Sequence, residues 1–452
     1  MSMKKSLLPI VALALLCAGC ATVREARKIQ NDEKARLPGE YTVPAAESGL
    51  VFDAPVTLEQ LVEVALRCNP SVLQARLQVE QAEISLKNAR SGYLPTLSAS
   101  ASHSRRTQNV NRHGPNTTRN TGSYSGGLNF GITVYDFGRT AAAVRQAEEN
   151  LAAAQQDYEA ARITVAYNVR CAYFELKRAF DLHQVAVESV EQYKEHLDQV
   201  KLKREVGAGL EYDVIKAEVD YNNALLNEIT ATNNVAIGWA DLNQALGLAE
   251  SPEYALGDGS VKEYTQTAEE LMEIARRNEP ELASLQHGIE RASAALDAAI
   301  AELYPDLTLS LGASVSGHTP SLPWLWNLSG SLAVAQNLFN GGRTVNAIRS
   351  NAIALQLARS RYAAREQTVY RNIRVAVLHA ARAKRSYEVA VLTEKSARQN
   401  LEIVNEKFKY GKASSVDRTD AQVSHSSARA NAVTAHFDYQ EAQAAIAKLL
   451  GE

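Results

Sequence analysis

The sequence predicts a mainly α-helical chain that carries a small transmembrane β part and is built as two copies of one plan. Three observations predict this. The stretch from Thr140 to Val206 contains neither proline nor glycine, so it reads as a rod of roughly 100 Å at ~1.5 Å per residue, too long for a compact domain. The segments after Pro95 and Pro305 alternate apolar with small polar residues, the period of a strand. A series of motifs occurs twice in the same order, the mark of a tandem repeat.

Composition agrees with a helical class. Of 452 residues 46% are hydrophobic and only 6% aromatic, with 12 prolines, while Ala, Leu, Gln, Glu, Lys and Arg fill long stretches as helices require. The formal net charge of -3, from 48 basic and 51 acidic residues, leaves no electrostatic footprint for nucleic acid.

Residues 1–19 read as a lipoprotein signal peptide. Lys4 and Lys5 precede an apolar run from Leu7 to Leu16, which is too short to span a bilayer but has the length of a secretory core. It ends in Leu16-Cys17-Ala18-Gly19-Cys20, which resembles a bacterial lipobox and implies a lipid on Cys20. An ordinary signal peptide cleaved at a small residue is the alternative. Residues 20–56 are then a lipidated, extended N-terminal segment. Cys68 and Cys171 lack the neighbouring Cys or His spacing of a zinc site and read as packing residues.

The first repeat covers 57–247, a linker 248–266 follows, and the second repeat covers 267–452. Each opens with a capping box, Thr57 with Gln60 and Thr267 with Glu270, in which side chains satisfy the orphan amides of a helix start. Asn69-Pro70 and Glu279-Pro280 follow, and Pro95 and Pro305 end the next helix.

Strands are predicted at about 95–107 and 122–136, and at about 305–317 and 324–340. In the first copy Leu97, Ala99 and Ala101 share a face, and Tyr124, Gly126, Leu128, Phe130, Ile132 and Val134 form the partner row. In the second, Leu307, Leu309, Leu311, Ala313 and Val315 stand opposite Trp324, Trp326, Leu328, Gly330, Leu332, Val334 and Leu338. One apolar and one small or polar face is the pattern of a barrel with lipid outside and water inside. The polar stretches Arg105–Gly122 and Ser316–Pro323 read as loops, and the tryptophans suit an interfacial belt.

Asp136-Phe137-Gly138-Arg139 and Asn340-Gly341-Gly342-Arg343 mark the strand-to-helix turns, where glycine supplies backbone conformations that a side chain forbids. Along the long helices Val144, Leu151, Tyr158, Val165 and Ala172, and Ile348, Leu355, Tyr362, Val369 and Ala376, repeat every seven residues as a coiled-coil seam. Gly207 with Asp213 and Gly411 with Asp417 follow, then Leu246-Gly247 and Leu450-Gly451 close the copies at one constant offset.

Taken together, the lipobox, the duplicated hairpin with paired long helices and the two strand-to-helix motifs resemble the TolC family of outer-membrane efflux proteins, over nearly all of the chain after Leu58. Phe137 departs from the glycine of the second copy. The resemblance implies a homotrimer whose four strands per subunit close a twelve-stranded β-barrel that continues into a periplasmic α-helical barrel. It implies a passive exit duct for efflux or type I secretion, working with a periplasmic adaptor (membrane fusion) protein and an inner-membrane pump of RND or ABC type. It also places the adaptor-docking tip at Gly207, Gly209, Leu210, Gly411 and Lys412, and an aperture gate at Asp213, Asp417 and Asp420. A carboxylate ring would attract cations. The alternative is that these aspartates cap the returning helices; the two readings balance at Asp213, while Asp417 and Asp420, three apart on one helical face, favour a pore lining.

No nucleophile, acid–base pair, phosphate loop or metal-ligand pattern is present, so neither catalysis nor a cofactor is expected. The nine histidines read as solvent-facing. A second reading of the whole chain is a non-conducting, lipid-anchored coiled-coil scaffold of the envelope, which would not need the alternating strands.

Overall fold

The computed structural model describes residues 22–35, 44, 55–110, 117–207, 209–318 and 325–452. The signal peptide, Cys20, Ala208 and Trp324 lie outside them. The elements are α1 (22–35), α2 (Leu58–Cys68), α3 (Pro70–Arg90), β1 (Thr96–Val110), β2 (Thr117–Tyr135), α4 (Arg139–Glu205), α5 (Glu211–Leu246), α6 (Ala268–Asn278), α7 (Pro280–Ala301), β3 (Asp306–Gly317), β4 (Leu325–Ala335), α8 (Arg343–Lys409) and α9 (Ser415–Leu449). Helix α1 replaces the extended chain expected there; its Glu, Arg and Lys residues are good helix formers. Contacts divide the chain into two compact units, Met1–Leu73 with Val165–Val261 and Lys384–Glu441, and Gln74–Thr164 with Lys262–Ala383 and Ala442–Glu452.

In the first unit Thr57 and Gln60 close the capping box of α2, with Gln60 Oε1 accepting from the Thr57 amide at 2.9 Å. Leu58, Leu61, Val64, Ala65 and Cys68 form its buried face. Asn69 ends the helix and donates to the Ala245 carbonyl at 2.8 Å. Four helices then pack in the order α5, α4, α9, α8. The α4–α5 seam is apolar, joining Leu197 and Val200 to Val214 and Ala217. By contrast the α4–α9 seam carries a row of polar pairs beside the buried Phe174–Phe437 contact: Ser189 meets Ser426 at 3.0 Å, Gln192 meets Gln422, Glu188 pairs with Arg429 and Arg178 with Glu441. Tyr387 on α8 packs against His436 on α9, their ring centroids 5.2 Å apart.

In the second unit Thr267 and Glu270 form the matching capping box of α6. Leu271, Met272, Ala275, Leu282, Val369, Ile373, Ile446 and Leu450 make its helical core. Val369 and Ile373 hold the places that Val165 and Val169 hold in the first unit, and all four are buried. The other predicted heptad positions are half-buried.

The sheet is antiparallel in the order β1-β2-β3-β4. Its register aligns Leu97 with Phe130, Phe130 with Leu311, Leu309 with Leu332, Ala313 with Leu328 and Val315 with Trp326. One face is therefore apolar across all four strands. The other carries Ser98, Ser100, Asn129, Ser310, Ser314, Asn327, Ser329 and Ser331 in the alternate positions. From Leu307 to Val315 the apolar row covers about 26 Å of strand at ~3.3 Å per residue, matching the ~25 Å apolar band of a membrane barrel.

Three strand expectations are corrected. Tyr135 rather than Val134 stands opposite Leu307, because the register shifts between Thr133 and Tyr135; a bulge leaves Val134 out of the row and turns the strand toward α4. β4 ends at Ala335, so Leu338 lies in the connection to α8. β1 and β2 stay paired out to Val110 and Thr117, so most of the expected loop Arg105–Gly122 is strand; Thr, Ser and Arg there keep the ladder without an apolar face.

Candidate functional site

The strand-to-helix turns are built on a polar side chain that the glycine signal alone did not expose. Asp136 accepts from the Gly138 amide at 3.2 Å, from the Thr140 amide at 2.8 Å and from the Thr140 hydroxyl, fixing the start of α4. Burial pushes its carboxyl up, but these bonds and Arg139 outweigh that, and the group sits below the usual carboxylate range. In the second copy Asn340 donates to the Thr344 hydroxyl at 2.7 Å. Gly138, Gly341 and Gly342 all have positive φ. Arg139 pairs with Asp306 at 2.9 Å, whereas Arg343 is exposed.

Phe137 adopts a φ of 52°, a conformation that costs a side-chain-bearing residue roughly 1–2 kcal/mol. Its ring lies 4.8 Å from that of Tyr135 and stacks on Tyr304 at 5.2 Å, contacts of about 0.5–1.5 kcal/mol each that offset the strain. This accounts for the departure from glycine.

At the first tip Gly207 (φ 78°) donates to the Arg204 carbonyl at 2.9 Å. Gly209 fits because a Cβ there would stand 2.9 Å from the Arg204 backbone nitrogen. Leu210 precedes α5 without a side-chain cap and is exposed, and Arg204 reaches across to Glu211 at 2.5 Å. At the second tip Gly411 donates to Phe408 at 3.2 Å and Lys412 to Lys407 at 2.8 Å, closing the end of α8.

The aspartates differ from one another. Asp417 accepts from the Ser414 amide at 2.9 Å and from its hydroxyl at 2.8 Å, while its own amide donates back to Ser414 Oγ at 3.1 Å. This is a capping box, and the Ser414 bonds, backbone first, hold the carboxyl below its usual range. Asp213 lies in the first turn of α5, half-buried, where the preceding Leu210 offers no side-chain cap. Asp417 therefore caps the start of α9. Asp420 is exposed and lines a hollow with Asp417, Asn400, Lys407 and Lys412.

One cluster escaped the sequence. His196 is 4% exposed and His425 8%, so neither faces solvent; both lie along buried seams of the first unit. Arg418 on α9 donates to His196 Nδ1 at 2.7 Å, to Gln199 at 3.0 Å and to Asn405 on α8 at 2.9 Å. His196 Nε2 lies 3.0 Å from Ser415 Oγ. The Phe408 ring has Lys203 Nζ 3.7 Å and the Arg418 guanidinium 5.4 Å from its centre, each a cation–π contact. Burial, then Arg418, Lys203 and Lys216, push His196 down to about 4.

Among the described residues no three His, Cys, Asp or Glu side chains gather as a metal site, and no helix is long and apolar enough to cross a membrane. The sheet thus has one apolar face and leads through glycine-containing turns into α4 and α8, and glycines close the ends of both long helices at the tips.

Known proteins share this plan. The family described as Outer membrane efflux protein matches residues 61–248 and again 271–452. The chain is 24% identical over 398 residues to the probable efflux pump outer membrane protein TtgC of Pseudomonas putida, covering 82% of this chain and 80% of that one. It is 27% identical over 229 residues to the outer membrane protein TolC of Escherichia coli, covering 48% and 46%. The Campylobacter jejuni CmeC outer membrane channel superposes with a TM-score of 0.76 at 22% identity, over 87% of this chain and 85% of that one. On its matched residues, the chain belongs to the outer membrane efflux protein family.

Proposed function

We propose that the chain is the outer-membrane exit duct of a tripartite efflux or type I secretion system, conducting cargo passively and catalysing nothing. The observation that carries this is the sheet. Its apolar face is exposed, with Trp326 79% and Leu332 66% accessible, and β1 and β4 each pair on one side only among the described residues. Such a face with two free edges is an aggregation template in water. Three copies set edge to edge would supply twelve strands and leave no edge, with lipid against the apolar side.

In this reading the duplicated repeat supplies both hairpins, and a homotrimer is the working unit. Cys20 carries the lipid, the glycine-closed tips meet a periplasmic adaptor, and an RND or ABC pump in the inner membrane provides the energy. Purified full-length protein should migrate as a heat-modifiable oligomer and form channels in planar bilayers. Failure of that oligomer to conduct would sink the duct.

Asp213, Asp417 and Asp420 would line the aperture. Asparagine is the informative replacement for Asp417, since it keeps an acceptor for Ser414 and removes only the charge. Asp417→Asn with Asp420→Asn is expected to lower cation preference and raise single-channel conductance. Unchanged conductance and selectivity would overturn the aperture assignment.

A further inference from the structure

We propose that His196, Arg418 and Phe408 form a proton-sensitive clasp between the two repeats at the tip, and that a proton on His196 Nδ1 breaks it and lets α9 part from α4. The inference rests on the duct reading for its consequence, an opening of the tip, but not for its chemistry.

The hydrogen bonds set the state of the imidazole. A guanidinium only donates, so Nδ1, which receives Arg418 at 2.7 Å, must be an unprotonated acceptor. The ring proton then sits on Nε2 and points at Ser415 Oγ, 3.0 Å away. Protonating Nδ1 would set one N–H against another and place two cations in contact in a buried site, where charge is weakly screened.

The charges acting on His196 itself offer no compensation. The charges acting on His196 are Arg418 on α9, Lys203 on its own helix and Lys216 on α5, all cationic. Glu195 acts on Arg418; the groups from α8 are Asn405, bound to Arg418, and the Phe408 ring, 5.6 Å from the imidazole. Separating His196 from Arg418 relieves this repulsion.

The fold offers a seam along which this can happen. Gln192 with Gln422, Ser189 with Ser426 and Glu188 with Arg429 continue the α4–α9 contact away from the tip. Polar partners exchange each other for water at little net cost. The apolar α4–α5 contact has no such exchange, so α4 stays with α5 and α9 is the element released.

The test uses His196→Gln, whose Oε1 can accept from Arg418 and whose Nε2 can donate to Ser415, without a titrating proton. Single-channel conductance of the full-length wild type is expected to rise as pH falls from about 7 to about 3.5. The histidine-dependent step of that rise is expected to be lost in H196Q and kept in Asp417→Asn with Asp420→Asn, which separates it from carboxylate protonation. Identical pH profiles for wild type and H196Q overturn the clasp. Absence of channels at every pH overturns the duct reading instead, and the clasp is then read from pepsin digestion of the solubilised protein at about pH 3.5. Faster cleavage of wild type than of H196Q around residues 196–210 and 405–418 supports it; equal rates refute it.

Discussion

Gly247→Ala and Gly451→Ala are each expected to destabilise the fold by roughly 2–5 kcal/mol, the sum of a left-handed backbone penalty and an overpacking penalty. Both glycines end a returning helix, with φ of 80° and 82°. Both also lie against the end of a short helix. A Cβ on Gly247 would stand 2.7 Å from Asn69 Cα and 2.9 Å from the Cys68 carbonyl oxygen, and one on Gly451 would stand 2.6 Å from the Asn278 carbonyl oxygen. Backbone cannot swing aside as a side-chain tip can. Gly288→Ala inside α7 is the control, since nothing lies within 4 Å of its added carbon and alanine is favoured over glycine in a helix by about 1 kcal/mol. Denaturation of the solubilised protein measures all three. Equal stability of G247A and G288A would show that the helix end can retreat from Gly247.

Arg178→Met is expected to cost about 3 kcal/mol at neutral pH, the lower end for breaking a buried ion pair because neither partner is fully dry. Arg178 holds Glu441, with Asp438 at 3.5 Å and Glu175 at 3.4 Å, and its side chain is 17% exposed. Burial pushes the Glu441 carboxyl up, and Arg178 opposes that. Without the arginine the carboxyl rises further above its unfolded value. Folded protein then binds more protons than unfolded protein between those two values, so the variant recovers stability as pH falls through that window. Adding Glu441→Leu removes the stranded charge and is expected to bring stability back to within about 1 kcal/mol of wild type. Melting curves at neutral and mildly acidic pH check both statements; a variant R178M as stable as wild type would mean that the pair is solvated.

Features governed by neighbours in sequence were legible before the structure. Thr57 with Gln60 and Thr267 with Glu270 read as capping boxes because the partners are three residues apart, and the alternation from Leu307 to Val315 gave the apolar face directly. The Val134 bulge was not legible, since alternation continues through it and only the pairing with β3 displaces it. Ser414-x-x-Asp417 carries the same local capping signature, but the spacing of Asp417 and Asp420 drew attention to the pore instead. His196 with Arg418 and Arg178 with Glu441 were out of reach, because the partners lie 222 and 263 residues apart and nothing in either helix names the other.

Helices α4 and α8 are both 67 residues long, and this equality limits how the gene can change. Losing one residue from either helix would rotate everything beyond it by about 100° and carry His196 away from Arg418 or Asn405 away from its partner. Losing a whole heptad from α4 alone would keep the face and misplace the tip. Changing both helices together by whole heptads keeps their faces and the tip contacts in register.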